Sequence, residues 1–155
     1  MRLEQFHTRD RSYGAWHRAP SIQRFIAPNE AEALTMVDLD SVVFTEYEDR
    51  GKVPLVLVEV ARDIGQDKPA GVLQGLARLA DVPAYVALYT PSDLPNPANP
   101  NWSDIDHFRV RRLWPHPEHR WRELTPTEWA RALLQIRGWQ LQRFAQRSAA
   151  NDDHY

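Results

Sequence analysis

The feature that most restricts this chain is the run Val53 to Ala61, VPLVLVEVA, an apolar, β-branched stretch of strand length broken by one acid, Glu59. Such a run belongs in the interior of a sheet, because its residues have no polar face to offer to water. The preceding residues alternate. Met36, Asp38, Asp40, Val42 and Phe44 fall on one side, while Val37, Leu39, Ser41, Val43 and Thr45 fall on the other, which predicts a second strand. Between them Glu46 to Lys52 is polar and contains Asp49-Arg50-Gly51, a turn signal, so the economical reading is a β-hairpin. With the turn centred between Asp49 and Arg50, Asp40 lies opposite Glu59, Val42 opposite Leu57 and Phe44 opposite Leu55. This register sets apolar residues against apolar ones and one carboxylate against another.

Two facing carboxylates repel, and a buried one costs several kcal/mol unless it is paired or bound to a cation. A hard divalent cation answers the need. Mg²⁺ takes oxygen ligands from one or two carboxylates and fills its remaining positions with water and substrate phosphate oxygens. Asp38 and Asp40 read equally as polar residues on the solvated face of a half-exposed strand. Glu59 resists that reading, since its neighbours on both sides are apolar.

The rest of the chain supplies the frame. Gln66 to Asp81 is predicted as a helix, with Pro69 in its first turn and Val72, Leu73, Leu76, Leu79 and Ala80 at helical spacing. Ala84 to Tyr89 is a further apolar strand, and Thr90 to Asn101, with four prolines, is predicted as a loop. His107 to Leu113 alternates as a strand carrying Arg109 and Arg111 on one side and Arg112 on the other. Thr125-Pro126-Thr127-Glu128 is a capping box that starts a helix running to about Arg147. Upstream, Asn29 is the expected cap of a short helix holding Glu30 and Glu32. The fold class is therefore α/β: a central mixed sheet with a hairpin, helix and strand at its core, residues 35–90, followed by a basic strand and C-terminal helix within residues 107–147. At 155 residues a single domain is expected.

Composition removes several kinds of chemistry. The chain has no cysteine, so disulfides, thiolate zinc sites, iron–sulfur clusters and cysteine nucleophiles are excluded. No apolar run nears the roughly 20 residues of a membrane helix, and the first ten residues lack a signal-peptide core, so the expected location is the cytoplasm and no membrane partner is expected. A formal charge of -2 gives no global nucleic-acid footprint. Locally, residues 107–147 hold nine arginines against three glutamates, enough for a phosphate-binding rim formed by Arg109, Arg111 and Arg112. His116 and His119 have a zinc-like spacing but no third ligand in view, and Ser41 lacks the G-x-S-x-G setting of a serine hydrolase.

Taken together, Asp40, Glu59 and the hairpin–helix–strand order of Met36 to Tyr89 resemble the PD-(D/E)XK, or restriction-endonuclease-like, nuclease superfamily. The resemblance covers about a third of the chain and extends in size to small bacterial and phage members of that family. It implies a metal-dependent DNA endonuclease or phosphodiesterase in which Asp40 and Glu59 hold Mg²⁺, with Mn²⁺ able to substitute. The family's lysine normally follows the acid by two residues, and that position is Ala61 here; its motif proline is also absent. Only two lysines exist. Lys52 is about 23 Å of strand away from Glu59. Lys68, at the expected start of the following helix, is where family members with a migrated lysine carry it, so it becomes the third catalytic candidate, with Asp38 and Gln74 as auxiliary groups. The other reading is an inactive nuclease-like fold kept as a DNA-binding, protein-binding or assembly module, and either reading leaves room for a homodimer.

Overall fold

The computed structural model describes residues 12–17, 20–34 and 39–152. Two compact units are resolved, with the boundary between Asp38 and Leu39. The first holds α1 (Ser12–His17), a 3₁₀ turn at Ile22–Arg24 and α2 (Pro28–Ala33). Its second helix is capped by Ala27, not Asn29: Pro28 takes the first helical position, where no amide donor is needed, and Glu30 accepts the Ala27 N–H at 2.9 Å.

The second unit is an α/β structure built on one five-stranded mixed sheet, with β1 (Ser41–Tyr47), β2 (Gly51–Arg62), β3 (Ala84–Asn96), β4 (Asn99–Trp114) and β5 (Arg122–Leu124) in spatial order. The crossover through α3 (Gly71–Ala80) makes β2 and β3 parallel, and all other pairs are antiparallel. Each face of the sheet carries a core. Leu57, Val86, Leu88 and Leu113 pack with Leu73 and Ala77 of α3. On the other face Val56, Val58, Ala87 and Val110 pack beneath Trp129, Ile136 and Phe144 of α4 (Pro126–Asp152). The expected C-terminal helix is thus present, and Thr125 and Glu128 exchange both hydrogen bonds of the capping box at 3.1 Å. Asp81, in a left-handed conformation at the end of α3, is gripped from α4 by Arg143 and Arg147, and buried Gln140 donates to its carbonyl.

The hairpin register is the expected one in the half that matters for the carboxylates: Ser41 faces Val58, Val42 faces Leu57 and Val43 faces Val56. Beyond that it slips by one, and Phe44 faces Pro54 instead of Leu55. The slip falls beside Pro54, which has no N–H to offer the ladder. Gly51, at φ 67, supplies the left-handed residue that closes the turn.

Three further expectations are corrected. The strand predicted from Thr35 is not formed at Leu39 and Asp40 and runs from Ser41, while its expected first residues 35–38, including Asp38, lie outside the described residues. The first helix of the core starts at Gly71, not at Gln66, because Pro69 disfavours helical geometry at Lys68; residues 63–70 form an irregular connection instead. The proline-rich stretch after Tyr89 is a two-stranded ribbon, not a loop: β3 and β4 run on past the end of β2 to a turn at Pro97-Ala98. Its ladder is interrupted at Pro91 and Pro95, so the ribbon accommodates prolines by giving up the bonds they cannot make. No helix among the described residues is long and apolar enough to cross a membrane.

Candidate active site

Asp40, Glu59 and Lys68 meet at one point. On β2, Leu57, Glu59 and Ala61 share the face covered by α3, so the strand's period of two carries Glu59 into a nearly closed environment, with 7% of its surface exposed. Asp40 sits immediately before β1. Its carboxylate accepts the Val60 N–H at 3.0 Å, so Asp40 continues the hairpin ladder with its side chain where β1's pairing has not yet begun. Lys68 comes in from the connection before α3. Its ammonium lies 2.6 Å from Glu59 Oε1 and 3.6 Å from Asp40 Oδ2.

These contacts set the electrostatics. The hydrogen bond to Glu59 first, with the charges of both acids, raises the Lys68 pKa above its ordinary value, against a smaller opposing effect of desolvation. Lys68 is therefore a fixed cation at neutral pH and not a proton acceptor. It compensates the facing carboxylates with a positive charge lodged between them. A divalent cation fits the same donor set, two carboxylates of hard oxygen converging on a point already held by a cation. Among the described residues no group of three or more His, Cys, Asp or Glu side chains surrounds such a point, so water or substrate oxygens would complete the shell.

The loop bearing Lys68 is tied down elsewhere. Asp63 receives a forked pair of hydrogen bonds from Arg109, at 2.5 and 2.9 Å, and also accepts the Gly65 N–H at 2.9 Å. The Arg109 bonds first, then the Gly65 amide, hold the Asp63 carboxyl at a pKa of about 2. Four residues further on, Asp67 accepts the indole N–H of Trp121 at 2.9 Å. The guanidinium carbons of Arg109 and Arg111 lie 5.0 and 5.1 Å from the Trp121 ring centroid, in cation–π contact.

The expected phosphate-binding arginines do not act as a set. Arg109 is committed to Asp63. Arg112 lies on the opposite side of β4, donates to the His116 carbonyl at 3.1 Å and lines a cleft of about 450 Å³ with Tyr85 and Trp139 of the α4 face, so the sheet separates it from Glu59. Of the three, Arg111 alone shares the face of Glu59 without an acidic partner among the described residues. It stands in the same row of the sheet, since Glu59 faces Val86 and Val86 faces Arg111. Its Nε is buried with no hydrogen-bond partner. Gln74 does not join the site either: its amide donates to the Leu113 carbonyl at 2.9 Å. Asp38 lies outside the described residues.

Sequence reasoning did not single out Asp63, Asp67 or Trp121. Trp121 carried a signal, a large aromatic among Glu118, His119, Arg120, Arg122 and Glu123, where a side chain of that size needs a surface to cover. Comparison with protein-family models, curated proteins and solved structures gives no match, so the functional reading rests on the site itself.

Proposed function

We propose that the chain is a metal-dependent phosphodiesterase of the PD-(D/E)XK, restriction-endonuclease-like type, acting on DNA. The observation that carries this is the convergence of Asp40, Glu59 and Lys68 within hydrogen-bond and ion-pair distance, from three separate segments, on the helix-covered face of a parallel crossover. In this reading Asp40 and Glu59 hold Mg²⁺ or Mn²⁺, which supplies a Lewis acid for a phosphoryl oxygen and an activated water. Lys68, permanently charged, stabilises negative charge that develops on the phosphorane oxygens, and Arg111 binds a neighbouring phosphate.

The purified protein with Mn²⁺ is expected to nick plasmid or branched DNA, and Glu59→Ala to abolish cleavage while remaining folded. Cleavage that survives Glu59→Ala would refute the assignment. A second reading, an inactive nuclease-like fold used for binding or assembly, is favoured by the ion pairing: Lys68 already engages both acids, and four of the nine arginines of residues 107–147, Arg109, Arg122, Arg143 and Arg147, are paired with carboxylates of the same chain. Absence of cleavage on every DNA form would select it.

A further inference from the structure

We infer that Trp121 and Arg109 are positioning residues that deliver Lys68 to the carboxylate pair, replacing the strand placement that a lysine at residue 61 would have provided. The inference deepens the phosphodiesterase reading and depends on it only for what Lys68 does once it is there.

A lysine two residues beyond Glu59 would be held by the strand itself. Lys68 has no such support: it belongs to residues 63–70, which form neither helix nor strand, and Gly65 within them takes φ 78. A long, rotatable side chain on an irregular segment sweeps many positions unless the backbone around it is fixed. The structure fixes it at two points ahead of Lys68. At the start, Asp63 is pinned to Arg109 through a fork that allows one orientation. One residue before Lys68, Asp67 is pinned to the Trp121 indole. The two anchors are joined, because Arg109 lies against the Trp121 ring, as does Arg111, and Trp121 packs on the core that also contains Leu57, Val86 and Leu88. The chain of contact thus runs from the rigid sheet, through β4 and the residue just before β5, to the backbone that leads into Lys68. It also accounts for Arg109 and Trp121 making contacts 46 and 54 residues distant in sequence that no core packing requires.

The chain has only two lysines, so amine acylation followed by mass spectrometry reports Lys68 with Lys52 as an internal reference. Lys52 is exposed on the hairpin, and Lys68 is engaged by two acids. In chelator, Trp121→Phe keeps an aromatic face for Arg109 and Arg111 and removes the N–H, and the Lys68 to Lys52 labelling ratio is expected to rise about fivefold, the population change that follows from loss of one ordinary hydrogen bond. Asp67→Ala should do the same, while Asp67→Asn, which keeps an acceptor oxygen for the indole, should stay near wild type. In cleavage assays Trp121→Phe should lower kcat by a similar factor with KM unchanged, and should cause no further loss when added to Lys68→Ala. An unchanged labelling ratio in both Trp121→Phe and Asp67→Ala overturns the inference, as does Asp67→Asn behaving like Asp67→Ala. Release of Lys68 as expected in a protein that cleaves no DNA would remove the phosphodiesterase reading and leave the positioning role standing. Cleavage with unchanged labelling would do the reverse.

Discussion

Replacing Lys68 by alanine leaves Glu59 buried with Asp40 as its nearest charge, and the cost can be bounded from the geometry. Removing one partner of a fully buried ion pair costs about 3–5 kcal/mol, and an exposed pair about 0–1 kcal/mol. The pair here lies between those limits, since the Glu59 side chain is 10% exposed and that of Lys68 35%. A loss of about 1–2 kcal/mol follows, which in a chain of this size lowers Tm by roughly 3–8 °C. Scanning calorimetry in chelator at pH 7 measures it. Mn²⁺ should then reverse the loss, because a divalent cation can take the position the ammonium has left; at a hundred times its Kd the ion adds about 2.7 kcal/mol. The metal-induced rise should be larger in Lys68→Ala than in wild type, where the ammonium competes. In Glu59→Gln/Lys68→Ala most of the loss should disappear, because no buried charge is left unpaired. The Lys68 pKa is raised in the folded state, so the stability it contributes is complete below its ordinary 10.5 and is lost as pH climbs through the higher folded value. A Lys68→Ala variant as stable as wild type in chelator, and indifferent to Mn²⁺, would refute the claim that these three side chains form one electrostatic unit.

Asp63 titrates in the opposite sense: its pKa of about 2 means that its contribution is complete above its ordinary 3.8 and is lost as pH falls through 2, so urea melts from pH 5 to pH 2 should show a shallower acid limb for Asp63→Asn than for wild type. Thr125→Ala removes one half of a reciprocal cap and should cost about 1 kcal/mol by chemical denaturation, with no effect on metal binding. Arg111→Ala should weaken binding of a DNA oligonucleotide in Ca²⁺ and reduce the slope of log affinity against log salt by about 1, read by fluorescence anisotropy, whereas exposed Arg137→Ala on α4 should leave both unchanged.

The placement of Glu59 was legible because an acid inside VPLVLVEVA is carried by the strand's alternation onto a covered face, whereas Asp40, expected on the strand, precedes it and reaches the Val60 N–H with its side chain. Lys68 was what the family resemblance implied, in a chain whose two lysines leave little choice of amine. What stayed hidden depended on partners far away in sequence. Nothing near Arg109 indicates that Asp63, 46 residues earlier, takes both its donors, so an arginine-rich strand read as a phosphate rim when one of its members is internal bracing. The register slip at Phe44 had a local sign in Pro54, which has no donor for the ladder beside which the slip falls. The ribbon after Tyr89 was not, because four prolines normally signal a loop, and only the observed pairing shows two of them at positions where the ladder is already interrupted.

The tethered segment 63–70 has a consequence for how the protein fails under stress. Its anchors are a few polar contacts and the small side chain of Ala70 at the margin of one core, while the sheet beneath it is held by two hydrophobic layers. Opening the segment breaks those contacts without exposing Leu57, Val86 or Leu88 in bulk, so it draws on far less free energy than global unfolding. Amide exchange at residues 63–70 should accordingly proceed through a local, denaturant-insensitive opening, while the central strands exchange only on global unfolding. Moderate urea or warming would then dismantle the three-residue cluster in molecules whose sheet and helices are intact, and loss of function and loss of fold become separate transitions.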